Sequence, residues 1–317
     1  MQEQIMQSLK SSPGYLSGEE ISRLLNISRA GIWKHIQDLR RQGYRIDAVP
    51  HLGYRILSSP DKLLPWEIKF DLGTKVIGQN IVYSETVGST MDEAFQLGID
   101  GAPEGTVVCA ETQTKGRGRL GRVWISPSGK GVYVSVILRP QLALPEVAQL
   151  TLVCAVALCE AVNAVADLKA RIKWPNDIFV GGKKIAGILT ELNAEMDRVR
   201  FVIVGVGINV NTLAPQLPPE ATSFKIETKK DFSRVAVLQE FLRSLEKWLP
   251  AFQDNGFSFV LKRWKELTLT LGRRVRFAEP RGEAEGVAVD LAPDGGLLVR
   301  KDSGEVVKRV SGDVSLA

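Results

Sequence analysis

Gly181 and Gly182 stand between two strand-like runs, 178–180 and 185–191, and a two-glycine turn of this kind joins neighbouring antiparallel strands. A parallel pair needs a crossover of about a dozen residues or more. The body of this chain therefore cannot be an all-parallel, doubly wound sheet. Further strands are predicted at 81–83, 106–110, 131–138, 170–174 and 200–210, with helices at 90–97, 145–167, 234–249 and 256–269. Together they predict an α+β core built on a mixed or antiparallel sheet, and 317 residues leave room for two or three domains.

The rare residues narrow the chemistry. His35 and His51 are the only histidines, and both precede Pro60, so the rest of the chain can build neither a Ser-His-Asp or Cys-His triad nor a His-ligated metal site. Cys109, Cys154 and Cys159 lack C-x-x-C spacing and are odd in number, which argues against a disulfide framework or a zinc site and fits a reducing cytoplasm. The N-terminus has no basic segment followed by an apolar one. The most apolar stretch, 147–168, is interrupted by Gln149, Glu160 and Asn163, so neither secretion nor a membrane span is expected. The net charge of +5 permits a nucleic-acid or nucleotide partner. Beyond Pro60, catalysis must rest on Lys, Arg, Asp, Glu or backbone groups.

The first sixty residues show helical periodicity and then alternation. Ile5, Met6 and Leu9 form one stripe, ended by Pro13-Gly14. Ser17 and Glu20 make a capping box ahead of Ile21, Leu24 and Leu25, predicted as a buried face. Asn26-Ile27 turn the chain, Ser28 caps again, and Ile32, Ile36 and Leu39 fall on one side of a third helix. Two alternating runs at 43–47 and 53–57 resemble a β-wing. This pattern predicts a winged helix-turn-helix whose DNA contacts come from Ser28, Arg29, Trp33, Lys34 and His35. A small helical domain with a solvated basic face is the plainer alternative. The polar stretch at Pro60 marks a boundary, giving domains 1–60, 61–269 and 270–317.

The strongest local signal is the loop in which Gly116, Gly118 and Gly121 alternate with Arg117, Arg119 and Arg122. Glycines let backbone N–H groups approach a ligand, and the guanidinium groups bring fixed charge to phosphate or carboxylate oxygens. It is neither a Walker loop nor a dinucleotide fingerprint. Taken alone it could also be a flexible Arg-Gly loop that touches RNA or nothing. Three other segments share its character. Residues 171–177 end a strand on Pro175, Asn176 and Asp177; 183–189 place lysines before an Ala-Gly pair; and 204–211 form a buried strand with two side-chain-free positions and two amides, Asn209 and Asn211.

In this order GRGRLGR, KWPND, KKIAGIL and GVGINVN, with Gly88-Ser89-Thr90 ahead of a helix, closely resemble the biotin–protein ligase family. With the winged helix in front, the resemblance extends over essentially the whole chain to those members that also repress the biotin operon. It implies a class II synthetase-like catalytic domain and a C-terminal SH3-like β-barrel, the latter agreeing with alternating runs separated by turns at 279–282, 293–296 and 302–304. It also implies a two-step reaction. Biotin and ATP, with Mg²⁺, give biotinyl-5′-adenylate and pyrophosphate; the biotinyl group then passes to a lysine of the biotin carboxyl carrier protein of acetyl-CoA carboxylase. The adenylate-bound homodimer would bind operator DNA.

The resemblance carries over residue by residue. Lys184 is the catalytic lysine, bridging the biotin carboxylate and the α-phosphate, while Lys183 faces away as surface charge. Arg117 and Arg119, with the Gly118 backbone, close over the adenylate. Ser89, Thr90, Met91 and Gln113 surround biotin, with Gly116 and Gly187 framing its rings, although Thr90 to Glu93 also reads as an ordinary capping box. Trp124 packs on adenine; Arg122, Lys173, Asn176 and Asn209 belong to the ATP side; Asp177 orients or deprotonates the acceptor lysine. No metal site of protein ligands alone is implied. Two positions depart from the family pattern: Met91 replaces a polar residue, and Leu120 stands where some members have arginine. The alternatives are a biotin-sensing repressor without ligase activity, a lipoate–protein ligase, and a ligase whose winged helix no longer regulates.

Overall fold

Helix α1 (Gln2–Ser11) buries Ile5, Met6 and Leu9, as its spacing predicts. The computed structural model of the chain describes residues 1–317 apart from 197, 280, 281, 311, 313 and 317. Helix α2 (Gly18–Leu25) opens with the capping box: Ser17 Oγ accepts from Glu20 N at 3.1 Å and Glu20 Oε2 from Ser17 N at 3.0 Å. It stops where Asn26 turns left-handed at φ 52°. Ile21 is buried, but Leu24, expected beside it, is 66% exposed, because a helix of two turns meets the core along a narrow stripe. Helix α3 (Arg29–Arg41) is capped by Ser28 and buries Ile32, Ile36 and Leu39. His35 is half-buried, with Nδ1 enclosed by protein, whereas Arg29, Trp33 and Lys34 are exposed.

Strands β1 (Arg45–Val49) and β2 (Gly53–Ser58) form the antiparallel wing. Gly53 is obligatory there, since a Cβ would lie 2.1 Å from Leu16 O and φ is +112°. Helix α4 (Pro65–Lys69) was absent from the expected elements. Its Glu67 is buried and accepts from Tyr44 Oη at 2.7 Å, while Trp66 Nε1 donates to the same phenol at 2.7 Å. Burial, reinforced by Glu67, pushes the Tyr44 phenol above its ordinary range. The first compact unit runs Met1–Asp71, so it includes α4 beyond the polar stretch at Pro60.

The second unit is Leu72–Ala317 and includes the C-terminal strands. Its main sheet joins β3 (Ile81–Val87), β4 (Val107–Gln113), β5 (Gly131–Leu138), β9 (Arg198–Asn209), β8 (Lys183–Glu195), β7 (Asp177–Val180) and β6 (Arg171–Lys173), in that spatial order. Only β3 and β4 are parallel, linked through helix α5 (Thr90–Ile99); the other pairs are antiparallel, so the sheet is mixed as expected. Helix α5 packs on one face through Met91 and Ala94, against Ile137, Phe201 and Ile203. Helix α6 (Val147–Ala166) is long and apolar enough to cross a membrane, but most of it is buried inside the unit, against helices α8 (Arg234–Asn255) and α9 (Phe257–Leu267). A helix apolar on all sides is stable only when covered on all sides.

Residues 274–316 form a separate antiparallel sheet in the order β13 (Val306–Arg309), β12 (Leu297–Arg300), β11 (Gly282–Leu291), β10 (Arg274–Glu279), β14 (Val314–Leu316). Val275, Phe277, Leu297 and Val299 are its buried centre, and Asp294 Oδ1 accepts from Gly296 N at 3.1 Å in the turn at 293–296. Pro280 and Arg281, in the turn expected at 279–282, lie outside the described residues.

All three cysteines are buried, and none is in a disulfide. Burial pushes the Cys154 and Cys159 thiols up to about 12 and raises that of Cys109 as well.

A cation at a helix N-terminus opposes the macrodipole, yet Arg234 opens α8 at 1% exposure. Its guanidinium donates to Glu111 Oε2 at 2.7 Å and to Gly131 O at 3.3 Å, tying α8 to β4 and β5. Removing one partner of a buried pair leaves the other charge uncompensated. Arg234→Ala should lower unfolding free energy by about 3–5 kcal/mol in urea titration, and Arg234→Met with Glu111→Leu should recover most of it; equal loss in both variants would refute the account.

Candidate functional site

The site is built where two strands lack side chains. On one face of the sheet Tyr133, Gly207, Gly187 and Asp177 lie in register across β5, β9, β8 and β7. The Trp124 indole lies against this floor: a Cβ at Gly207 would be 2.3 Å from its ring, and one at Gly187 3.3 Å. Beside it Met91 covers Gly205, where a Cβ would meet Sδ at 2.3 Å. Met91 thus contributes apolar packing rather than a side-chain hydrogen bond.

Lys184 reaches the same face because β8 is bulged. The register passes from Ile178↔Ala186 to Phe179↔Lys184, which leaves Ile185 unpaired and resets the alternation. The Lys184 ammonium then sits 2.7 Å from Asp177 Oδ1 and over the Trp124 ring at 5.4 Å. Lys183 is exposed, as expected. The strand segment around Ala221 holds the lysine from its other edge, since Lys184 N donates to Glu220 O at 2.9 Å and Thr222 N to Lys184 O at 2.8 Å. This segment was not among the expected elements; the prolines at 218 and 219, which favour extended chain, were its signal.

The Arg-Gly loop folds back on itself. Trp124 N donates to Gly116 O at 2.9 Å and Gly118 N to Arg122 O at 2.7 Å, with Leu120 left-handed at φ 56° and 71% exposed. Gly116 is tight at the base, where a Cβ would lie 2.5 Å from Trp124 O. Arg117 is bidentate to Glu191, at 3.1 Å for both contacts, and also pairs with Asp92. These hydrogen bonds, the one donated to Glu191 foremost, raise the guanidinium above its ordinary value. Its donors are engaged inside the protein, so Arg117 anchors the loop. Sequence reasoning missed Glu191 and Asp92, for nothing local links them to position 117. Arg119 donates to Asn176 Oδ1 at 2.9 Å and to Gly312 O at 3.3 Å, fastening the loop to the Pro-Asn-Asp turn and to the segment ahead of β14.

The remaining expected residues gather around the same cavity, which is lined by Ser89, Thr90, Gln113, Gly118, Arg122, Lys173, Asn176 and Asn209 among others. Ser89, extended in backbone, is the actual cap of α5 and accepts from Met91 N at 3.3 Å; Thr90 is already helical, so the expected Thr90 to Glu93 box does not form. Thr90 N donates to Gln113 Oε1 at 2.9 Å, Ser135 Oγ to Thr90 Oγ1 at 2.9 Å, and Gln113 Nε2 to Ser126 Oγ at 3.0 Å. Asn176 Nδ2 donates to Ile188 O at 2.7 Å and Asn209 Nδ2 to Thr222 O at 3.0 Å. The result is a polar end at α5, a glycine and tryptophan floor, and a cationic end at Lys184 and the loop.

The Biotin/lipoate A/B protein ligase family matches residues 83–209, an HTH domain residues 1–55, and the biotin protein ligase C terminal domain residues 270–317. The chain is 42% identical over 306 residues to the bifunctional ligase/repressor BirA of Bacillus subtilis (strain 168), covering 95% of this chain and 94% of the relative. The chain belongs to the bifunctional biotin ligase/repressor family. BirA of Escherichia coli (strain K12) is 30% identical over 314 residues, covering 98% and 95% of the two chains. Among solved structures, the biotin protein ligase from Aquifex aeolicus in complex with biotin and ATP superposes with a TM-score of 0.65 at 33% identity, over 75% of this chain and 99% of that one. A bifunctional ligase/repressor needs both units described above, and both are present here.

Because Gly207 faces the Trp124 ring without a side chain, Gly207→Ala should displace the indole and weaken biotin binding by about tenfold or more. Calorimetric titration with biotin checks this; unchanged affinity would show that the floor is not part of the ligand site.

Proposed function

We propose that this cavity joins the biotin carboxylate to the α-phosphate of ATP and then passes the biotinyl group to a lysine of the carboxyl carrier protein of acetyl-CoA carboxylase. The observation that carries the reading is the Lys184 ammonium, set by the bulge at the cationic end of a cavity closed by the Arg-Gly loop. In the first step a carboxylate oxygen attacks the α-phosphorus, and the bond to the bridging oxygen breaks with departure of pyrophosphate. Two anions must approach, so fixed positive charge is the main requirement. Lys184 meets it between the two reactants. Arg119, with Arg122 and Lys173 on the same cavity wall, screens the phosphates and holds the adenylate. Ser89, Thr90 and Gln113 receive the ureido ring, and Trp124 packs on the adenine.

In the second step the acceptor amine attacks the acyl carbon, the acyl–phosphate bond breaks and AMP leaves. Asp177 takes the proton, Lys184 holding it in place at 2.7 Å. Among the described residues no three His, Cys, Asp or Glu side chains converge on a metal position. Oxygen-bearing side chains on the cavity wall include Asn176, Asn209, Asp177 and Glu220, besides Ser89, Thr90 and Gln113 at the α5 end. That set suits Mg²⁺ carried on phosphate, because Mg²⁺ is usually held by one or two protein groups plus substrate oxygens. Bound there, it would neutralise charge on the leaving pyrophosphate. In this reading the adenylate-bound protein dimerises in the cytoplasm, and its winged helices bind the biotin operator.

Lys184→Ala should lower biotin-dependent ATP–pyrophosphate exchange by about a hundredfold or more; near-normal exchange would defeat the assignment, and exchange with lipoate rather than biotin would change the substrate. Arg119→Gly should release adenylate, read as biotin label on bystander lysines. Retention equal to the unaltered protein would remove Arg119 from that role.

A further inference from the structure

The side of α3 turned away from Ile32, Ile36 and Leu39 carries Arg29, Ala30, Trp33 and Lys34 at exposed positions. Spacings of four (Arg29 to Trp33, Ala30 to Lys34) and three (Ala30 to Trp33) bring them onto one surface, and no carboxylate lies among them. Arg29 reaches sideways to Glu19 of α2 at 3.0 Å. Trp33, near the middle of this surface, is 59% exposed. A large apolar ring flanked by two cations suits a polyanion that also offers an apolar group.

DNA has that combination. Cations and backbone donors on phosphates position a protein without reading sequence. Among base edges in the major groove, the C5-methyl of thymine is the apolar feature. An indole has one N–H donor and no acceptor, so it cannot make the bidentate contacts that distinguish guanine or adenine. Its gain comes from burying the ring edge against a methyl group. We propose that Trp33, with the Ala30 methyl beside it, reads a thymine C5-methyl in the operator. The inference rests on the operator-binding reading above and assigns one base preference to one side chain.

The test uses the full chain with biotin and ATP to enrich duplexes from a random-sequence pool. The best duplex is remade with deoxyuridine at one thymidine position at a time, which removes only a methyl group. At the contacted position the unaltered protein should bind about fourfold more weakly. Trp33→Ala should bind the thymidine duplex about tenfold more weakly and show no difference between thymidine and deoxyuridine there; unchanged thermal unfolding would establish that it is folded. If the unaltered protein is indifferent to every substitution, or Trp33→Ala keeps the full discrimination, the inference is overturned while operator binding stands. If no duplex is enriched at all, the operator reading fails first.

Discussion

Two paired positions without side chains, Gly187 and Gly207, make the room on which the catalytic unit depends. A Cβ at Gly207 would overlap the Trp124 ring and one at Gly187 would crowd it, so the indole can lie this close to the sheet only because both strands are bare there. Around that floor the neighbours are fixed by ordinary devices: the cap of α5 by Ser89, the loop base by Gly116, and the lysine by its contact with Asp177. Close packing makes the arrangement intolerant, because a methyl group inserted into a well-packed interior typically costs about 1–3 kcal/mol. The glycines therefore act as shape rather than as flexibility.

The register of β8 is the second constraint. Strict alternation counted back from Gly187 would turn Lys183, not Lys184, toward the floor. The unpaired Ile185 reverses that parity and lets Lys184, Phe179 and Asp177 share one side. Bulges commonly re-aim a side chain beside a functional site, and here one residue of slip decides which of two adjacent lysines meets the cavity.

Much of this was legible beforehand. The hairpin at Gly181-Gly182, the mixed sheet and the caps at Ser17 and Ser28 follow from local chemistry, which acts within a few residues. The bulge was not legible, since the choice of Lys184 came from family likeness rather than from periodicity. Nor was the engagement of Arg117 by Asp92 and Glu191, because partners 25 and 74 residues away leave no trace in a motif. The packing of α4 back on the first unit was hidden for a similar reason. Pro60 and its polar neighbours look like a linker, whereas Glu67 returns to Tyr44 across 23 residues.

The burial of Cys109, Cys154 and Cys159 sets how the protein responds to oxidants. With thiols held well above neutral pH, two of them at about 12, almost no thiolate exists to attack peroxide, glutathione disulfide or an alkylating reagent. Modification of these sulfurs has to wait for the core to open, which makes their slow labelling a clock for global unfolding.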